Sequence, residues 1–253
     1  MSLIYTEFIK LKNTFALWLT ILGALFVPFI LFATYLSDVR AFVPGHGVNP
    51  WDDFLVRILN GCCFFSVGFI LLIIGLIVHV EHKANAWKHL FTLPISRGKI
   101  YLGKLAVIFA MVIGFFILYL SLSVVVGITL GYAVQDLGFS KFPVPGLHLL
   151  RFVTEFLIAI LPMVFLQFWL SFRFRNLITS LSIGLGGLMI GLLLKSWEYI
   201  IYMPYAAPFQ MLNYTEAYAA SHQGLNLLNA VYTVLLAVLS YYDFTKRLQW
   251  GAA

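Results

Sequence analysis

The sequence has 253 residues, of which 62% are hydrophobic and only 10% are charged. A soluble domain is about 45–50% apolar and about 25% charged. So few charges cannot cover a water-facing surface of this size, which excludes a soluble enzyme or binding domain and indicates a chain surrounded by lipid. The formal net charge of +6 could suggest nucleic acid, but the basic residues stand at the ends of apolar runs, so we expect no nucleic-acid partner.

The chain begins with a short amphipathic segment. Plotted as a helix, it separates into an apolar arc and a polar arc, and the polar arc contains Glu7 and Lys10. This separation predicts a short helix that lies in the membrane interface before the first apolar run.

Six apolar runs follow. A helix needs about 20 apolar residues to cross a bilayer, because unpaired backbone groups cost several kcal/mol each in lipid. The runs predict six transmembrane helices at about residues 15–35, 58–80, 105–130, 156–172, 177–194 and 225–242. The last three are near the lower length limit. We therefore predict an all-α polytopic membrane protein in which residues 1–253 form one transmembrane domain.

The placement of Lys and Arg orients these spans. Eleven of the sixteen basic residues fall in the segments on the side of the N-terminus. An excess of Lys and Arg marks the cytoplasmic side, so we expect both termini in the cytoplasm and the protein in the cell membrane. On that side, the long connection runs from Glu81 to Lys104. On the other side, the aromatic segment 196–222 is either partly re-entrant or an anchor for the last span.

Polar and small residues within the spans are candidates for the transport path or for helix contacts. A polar group at lipid depth must find a partner in the bundle or line a cavity, which singles out Asn60 and Gln167. Gly187 and Gly191 form a small-xxx-small pair, which permits a close helix contact within the chain or between two chains.

The sequence contains no complete catalytic motif. Residues 98–105 approach a phosphate-binding loop, but Leu105 stands where Ser or Thr must hold magnesium, so this chain is not expected to hydrolyse nucleotide. His79, Glu81 and His82 could make half a metal site, but no third ligand is evident. We read them as titratable groups at a span end, and we expect neither catalytic nor metal-binding residues.

The cytoplasmic connection contains a second amphipathic segment. Its apolar residues occupy one half of a helical wheel, and Pro94 ends the helix at or before Leu93. Trp87 and Phe91 on the apolar face would be unusually exposed unless a partner protein covers them.

Taken together, Glu81, this amphipathic stretch, the sequence Leu93-Pro94-Ile95-Ser96-Arg97 and Gly103-Lys104 resemble the permease subunits of ABC-2-type transporters. Residues 87–96 are similar to the stretch found in lantibiotic and bacitracin immunity permeases of that family.

The resemblance implies a coupling helix that docks on a separate ATPase subunit. Its docking residues would be Lys83, Trp87, Lys88, His89, Leu90, Phe91 and Leu93. It also implies two ATPase copies that bind ATP and Mg²⁺, a second permease chain, identical or a sibling, and contact with membrane lipid. No cofactor is expected in this chain itself.

The expected activity is export of an amphipathic peptide, antibiotic or lipid-like substrate. Two alternatives remain at this stage, a self-sufficient secondary transporter and an intramembrane enzyme using His79, Glu81 and His82.

Overall fold

The computed structural model of the protein describes residues 3–11, 14–45, 47–83, 94–212 and 223–247. Within these ranges the regular structure is helical throughout, which confirms the prediction of an all-α polytopic membrane protein. The bundle is built from α1 (Leu3–Leu11), α2 (Phe15–Ser37), α3 (Pro50–Lys83), α4 (Arg97–Ala133), α5 (Gly146–Arg173), α6 (Leu177–Leu193) and α7 (Gln223–Tyr242). Short helical segments lie at Val39–Phe42, Gln135–Leu137, Phe139–Lys141, Glu198–Tyr202, Ala207–Gln210 and Asp243–Arg247.

Five of the described helices, α2 to α5 and α7, are long and apolar enough to cross a membrane. The predicted span at 177–194 corresponds to α6, which is apolar but has only 17 residues. At a rise of about 1.5 Å per residue, α6 is about 25 Å long, somewhat less than a bilayer core of about 30 Å.

Three spans are longer than the apolar runs indicate. The helix predicted at 58–80 begins at Pro50, because Asn49 caps it by accepting a hydrogen bond from the Trp51 amide and because proline fits the first helical turn. The helices predicted at 105–130 and 156–172 extend over 97–133 and 146–173. Polar and charged residues at the span ends therefore continue the helices rather than end them.

The connection predicted from Glu81 to Lys104 is correspondingly too long. Helix α3 continues to Lys83 and α4 begins at Arg97, so Glu81 and Lys104 are both helical and buried. They form an ion pair with each other, which lets the two helices carry charge at this depth.

Helix α3 is the centre of the bundle. It packs against α2, α4, α5 and α6. Helix α2 also packs against α4, and α5 packs against α7. Helix α3 also contains a π-helical turn at Cys62–Ser66, next to which the Tyr119 hydroxyl donates to the Ile58 carbonyl at 2.8 Å.

One end of the bundle, the aromatic end, is closed by packed rings. Trp51 lies edge-on to Phe139 with ring centroids 5.1 Å apart, and its indole N–H donates to the Phe139 carbonyl at 3.3 Å. Phe54 packs against both rings. Helix α4 approaches this cluster at Gly127, where a Cβ would overlap the indole ring.

Replacing Gly127 by Ala tests this packing. Since the Trp51 ring is held by a hydrogen bond and two ring contacts, it cannot move aside cheaply, and we expect a loss of about 1–3 kcal/mol in unfolding free energy. The matched control is Gly114→Ala on the same helix, where a Cβ meets nothing within 4 Å. We expect Gly114→Ala to leave the unfolding free energy unchanged or to raise it by up to about 1 kcal/mol. Unfolding in lipid nanodiscs measures both, and equal effects would contradict the packing argument.

Candidate functional site

Four charged side chains from three helices meet at the end of the bundle opposite the aromatic end. Lys104 of α4 donates to Glu81 Oε1 of α3 at 2.6 Å and also pairs with Glu7 Oε2 of α1. Lys10 of α1 donates to Glu7 Oε1 at 2.8 Å and to Glu81 Oε1 at 2.9 Å. We call these four residues the ion cluster. Its two carboxylates and two ammonium groups balance each other.

The ion cluster is buried except at one lysine. The side chains of Glu81, Lys104 and Glu7 are 2%, 3% and 6% exposed, whereas that of Lys10 is 38% exposed. Charges removed from water to this extent are tolerated only when opposite charges and hydrogen bonds replace their hydration. Each carboxylate therefore depends on the lysines, and removal of one lysine leaves an uncompensated buried negative charge.

The polar arc of helix α1 does not face water along its whole length. Glu7, placed on that polar arc, is buried against Lys104, whereas Ile9 from the apolar arc is half exposed. The physical reason is that Lys104, 97 residues further along the chain, supplies the opposite charge. Helix α1 is thus fixed to α3 and α4 by ion pairs.

Lys10 is the member of the ion cluster that reaches the surface. Partial burial opposes its charged form, but hydrogen bonds and attraction from Glu7 and Glu81 outweigh this and raise the pKa of Lys10 above its ordinary value. A cavity of about 10 Å³ beside Lys10 and Lys104 has room for at most one water molecule. The ion cluster is therefore a structural link between helices and has no space for a substrate.

Two further contacts fix the helix ends near the ion cluster. His82, the residue after Glu81, contacts the Ser171 carbonyl of α5 through its Nε2 at 3.1 Å. Arg97, the first residue of α4, donates to the Thr245 carbonyl beyond α7 at 3.2 Å. The end of α3 and the start of α4 are thus joined to α1, α5 and the end of α7.

The predicted docking residues fall mostly outside the described part of the chain. Lys83 is the last residue of α3 and is exposed. The other predicted docking residues, Trp87, Lys88, His89, Leu90, Phe91 and Leu93, lie outside the described residues. The described helices α3 and α4 end and begin on either side of them.

Gln167 lies in a buried polar site inside the bundle. Its Oε1 accepts a hydrogen bond from the Tyr205 hydroxyl at 3.1 Å, and its Nε2 donates to the Ser180 carbonyl of α6 at 3.3 Å. The ring of Tyr205 packs on Gly187, and Ala206 packs on Gly191. The structure therefore brings Gln167, Gly187 and Gly191 together through the segment that follows α6.

Asn60 is not part of this polar site; it lies in α3, two residues before the π-helical turn, and is partly buried. In the part of the chain that the structure describes, no group of three or more His, Cys, Asp and Glu side chains could hold a metal ion. Glu81, considered with His79 and His82 from the sequence, is instead a member of the ion cluster.

Sequence reasoning missed the partners of these residues. Glu7 and Lys10 were visible as charges on an amphipathic helix, and Glu81 and Lys104 as charges at span ends. Nothing in their spacing shows that they meet. The same holds for Tyr205, which in the sequence is one of several aromatic residues of the segment 196–222.

Comparison with known proteins identifies the family. A family model described as "ABC-2 family transporter protein" matches residues 3–191, about three quarters of the chain. The chain belongs to the ABC-2 transporter family. No curated protein and no solved structure gives a significant match.

Membership in the ABC-2 family confirms the resemblance to ABC-2-type permeases, whereas the resemblance of residues 87–96 to the lantibiotic and bacitracin immunity group stays a prediction. It makes the chain an integral membrane permease component of an ABC transporter, a subunit whose family implies an ABC ATPase as partner in general. The matched residues include the whole ion cluster, so this site belongs to the part of the chain that defines the family match.

The stability of the ion cluster can be tested by unbalancing it. Lys104→Gln leaves two buried carboxylates with one lysine, and we expect it to cost about 3–5 kcal/mol in unfolding free energy. The double variant Glu81→Gln with Lys104→Gln restores the balance and should cost less than Lys104→Gln alone. Denaturant unfolding in nanodiscs or detergent measures all variants.

The matched control for that series is Arg57→Gln, which breaks the exposed ion pair of Arg57 with Asp53. An exposed pair is worth about 1 kcal/mol or less. If Lys104→Gln cost no more than Arg57→Gln, the ion cluster would not stabilise the bundle.

Proposed function

We propose that this chain is the membrane-spanning permease subunit of an ATP-driven exporter in the cell membrane, with both termini in the cytoplasm. Residues 83–93 dock on a separate ATPase subunit, which binds ATP and Mg²⁺. The working assembly contains two ATPase subunits and two permease chains, identical or siblings. Its cargo is an amphipathic peptide, antibiotic or lipid-like molecule, as for the lantibiotic and bacitracin immunity permeases that the sequence resembles.

The observation that carries this proposal is the position of the ion cluster in a chain of the ABC-2 family. Glu81 stands two residues before Lys83, and Lys104 lies about two turns into α4. These two residues belong to the helices that flank the docking segment, and they are joined directly at 2.6 Å. A force applied to the docking segment therefore acts on two helices that are already fixed to each other.

The ion cluster makes this connection stiff. Sliding α3 past α4, or lifting α1 away, would separate opposite charges in a site with little water, where their attraction is stronger than at a surface. Closure of the ATPase subunits would therefore move α1, α3 and α4 as one unit. Because α3 also packs on α2, α5 and α6, its displacement would move these helices as well.

The interior supports an amphipathic cargo. The largest fully buried side chains among the described residues are all aromatic, including Phe115, Phe156 and Tyr119. Sites for apolar and amphipathic ligands are lined mainly by hydrophobic and aromatic groups with a few polar ones, and a path that opened between these helices would have such a lining. Ion-coupled secondary transport relies on charged groups at membrane depth, and the buried acidic and lysine side chains of the described residues, Glu7, Glu81, Lys104 and Asp243, are each paired with an opposite charge.

The proposed orientation predicts which introduced cysteines a membrane-impermeant thiol reagent can label in intact cells. In a background of Cys62→Ala with Cys63→Ala, we expect Asp136→Cys to react with a membrane-impermeant maleimide added outside intact cells. Lys83→Cys should react only after the membrane is permeabilised. Both positions are exposed, so burial does not decide the result. Labelling of Lys83→Cys in intact cells would reverse the orientation.

The docking proposal is tested by removing the two aromatic anchors of the segment. Large aromatic side chains dominate protein interfaces, so Trp87→Ala with Phe91→Ala should abolish co-purification with the ATPase and the stimulation of ATP hydrolysis on assembly. The matched control is Phe15→Ala with Trp18→Ala on α2, whose side chains are 65% and 61% exposed and face away from the bundle.

The control variant should keep both the complex and its ATPase activity. A docking variant that also kept both would eliminate residues 83–93 as the coupling segment. A permease that never binds an ATPase, even with the native sequence, would eliminate the proposed function itself.

A further inference from the structure

A single π-helical turn, Asp243–Arg247, continues α7 at the end of the bundle that contains the ion cluster. We call it the terminal turn. Two of its side chains are buried, since Phe244 is 0% exposed and Asp243 is 8% exposed. Neither residue belongs to the ion cluster, and the family match, which covers residues 3–191, does not include them. Their burial at a helix end therefore needs an explanation of its own.

Phe244 is enclosed by aromatic rings of α4 and α5. Its ring centroid lies 5.6 Å from that of Tyr101 of α4 and 5.2 Å from that of Phe172 of α5. The Tyr101 ring also packs against Phe168 of α5, with ring centroids 5.2 Å apart. All four rings are buried. Because aromatic contacts of this kind resist separation, Phe244 joins the start of α4 to the end of α5.

The Asp243 carboxylate fixes the terminal turn to α5. The indole N–H of Trp169 donates to Asp243 Oδ2 at 2.9 Å, and Arg173 Nη1 lies 3.5 Å from Oδ1. The side chain of Arg173 is half exposed, so its ion pair contributes little. The indole replaces hydration that the carboxylate loses on burial. The hydrogen bond from Trp169 is therefore the main directed link between Asp243 and α5.

The start of α4 is held by the same region. Arg97 donates to the Thr245 carbonyl at 3.2 Å, and the hydroxyls of Tyr101 and Ser240 lie 2.7 Å apart. Ser96, the residue before α4, makes no capping hydrogen bond through its side chain. The first turn of α4 thus lacks the usual stabilisation by a cap and depends on contacts with α7 and the terminal turn.

The proposed docking segment is consequently held on both sides. On the α3 side, the ion cluster joins Glu81 to α1 and α4. On the α4 side, the terminal turn joins Arg97 and Tyr101 to α5 and α7. Helices α5 and α7 pack against each other, and neither contributes a residue to the ion cluster. A displacement of the start of α4 therefore acts on this pair of helices through the terminal turn.

We propose that the terminal turn transmits movement of the docking segment from the start of α4 to α7 and the end of α5. Phe244 and Asp243 are the positioning residues of this link, because they hold the turn between the two helices. The role in transmission rests on the proposed permease function, whereas the fixing of the start of α4 does not.

The fixing of α4 is tested on the permease alone in nanodiscs, by hydrogen–deuterium exchange at the amides of residues 99–104. Phe244→Ala leaves a cavity between the rings and should raise their exchange rate about ten-fold or more. Trp169→Phe removes only the hydrogen bond to Asp243 and should raise it about three- to five-fold. Asp243→Ala removes the same bond, so its combination with Trp169→Phe should give the larger single rise rather than the product.

The matched control is Tyr242→Ala, which removes an aromatic ring two residues before Phe244 that is 54% exposed. It should leave exchange at residues 99–104 unchanged. Asp243→Asn, which keeps an acceptor oxygen for Trp169, should stay close to the native rate. Exchange in α6 is the internal reference, since loosening of the whole bundle would raise it as well.

Transmission is tested in a complex that hydrolyses ATP. Trapping with ATP and vanadate should change the exchange of both α3 and α7 in the native complex. In Phe244→Ala, the ATPase should still co-purify, because residues 83–93 are unaltered, and the response of α3 should persist. The response of α7 should fall about five-fold or more, the lower end of coupling between sites. Tyr242→Ala should keep both responses, and a general loss of structure would remove both.

The terminal turn has no role in transmission if the response of α7 survives in Phe244→Ala, or if α7 of an active native complex does not respond to trapping. Unchanged exchange at residues 99–104 in Phe244→Ala and Trp169→Phe, or an equal rise in α6, would likewise overturn the proposal. If Phe244→Ala does not fold, Trp169→Phe with Asp243→Ala decides both measurements. Failure of the native chain to bind an ATPase would instead reject the permease function, while exchange in the permease alone would still decide whether the terminal turn fixes α4.

Discussion

Charged groups inside a membrane protein must be balanced within the protein, because lipid cannot hydrate them. In this chain Glu81 and Lys104 lie near the ends of two long apolar helices and are almost fully buried. The charge of each side chain therefore needs the charge of the other, and Glu7 and Lys10 of α1 complete the neutralisation of the cluster. One electrostatic constraint thus sets the position of α1 and joins the ends of α3 and α4 that flank the proposed docking segment.

The two ends of the bundle are held by different physical interactions. At the aromatic end, Trp51, Phe54 and Phe139 pack through ring edges and faces, which resist separation but depend on shape rather than on charge. At the other end, ion pairs join helices that are distant in sequence. Helix α3 runs between these two ends and contains the π-helical turn, a feature that is frequent at functional sites. The single helical turn Ala207–Gln210, which follows α6, contacts this π-helical turn.

The segment formed by residues 203–212, which follows α6, obeys the same rule about unsatisfied polar groups. It is irregular, so it must be covered by protein, and the glycine face of α6 lets it approach closely enough to be covered. The burial of Gln167 follows the same rule, because its amide accepts a hydrogen bond from the Tyr205 hydroxyl and donates one to the Ser180 carbonyl. Gln167 is thus connected through Ser180 and Ser171 to His82 near the end of α3.

The sequence by itself determined the class of protein, the approximate position of the spans and the family, because hydropathy and the short motif at 81–104 are local properties. It also singled out Gln167, Gly187 and Gly191, since a polar residue or a glycine pair at lipid depth needs an explanation wherever it occurs. It could not determine that α3 begins at Pro50, because a polar first turn does not differ locally from a loop. Nor could it show that Glu7 meets Lys104 or that Tyr205 meets Gln167. Those pairs are 97 and 38 residues apart, and only the packing of helices from distant parts of the chain decides which buried charge and which buried hydroxyl share a site.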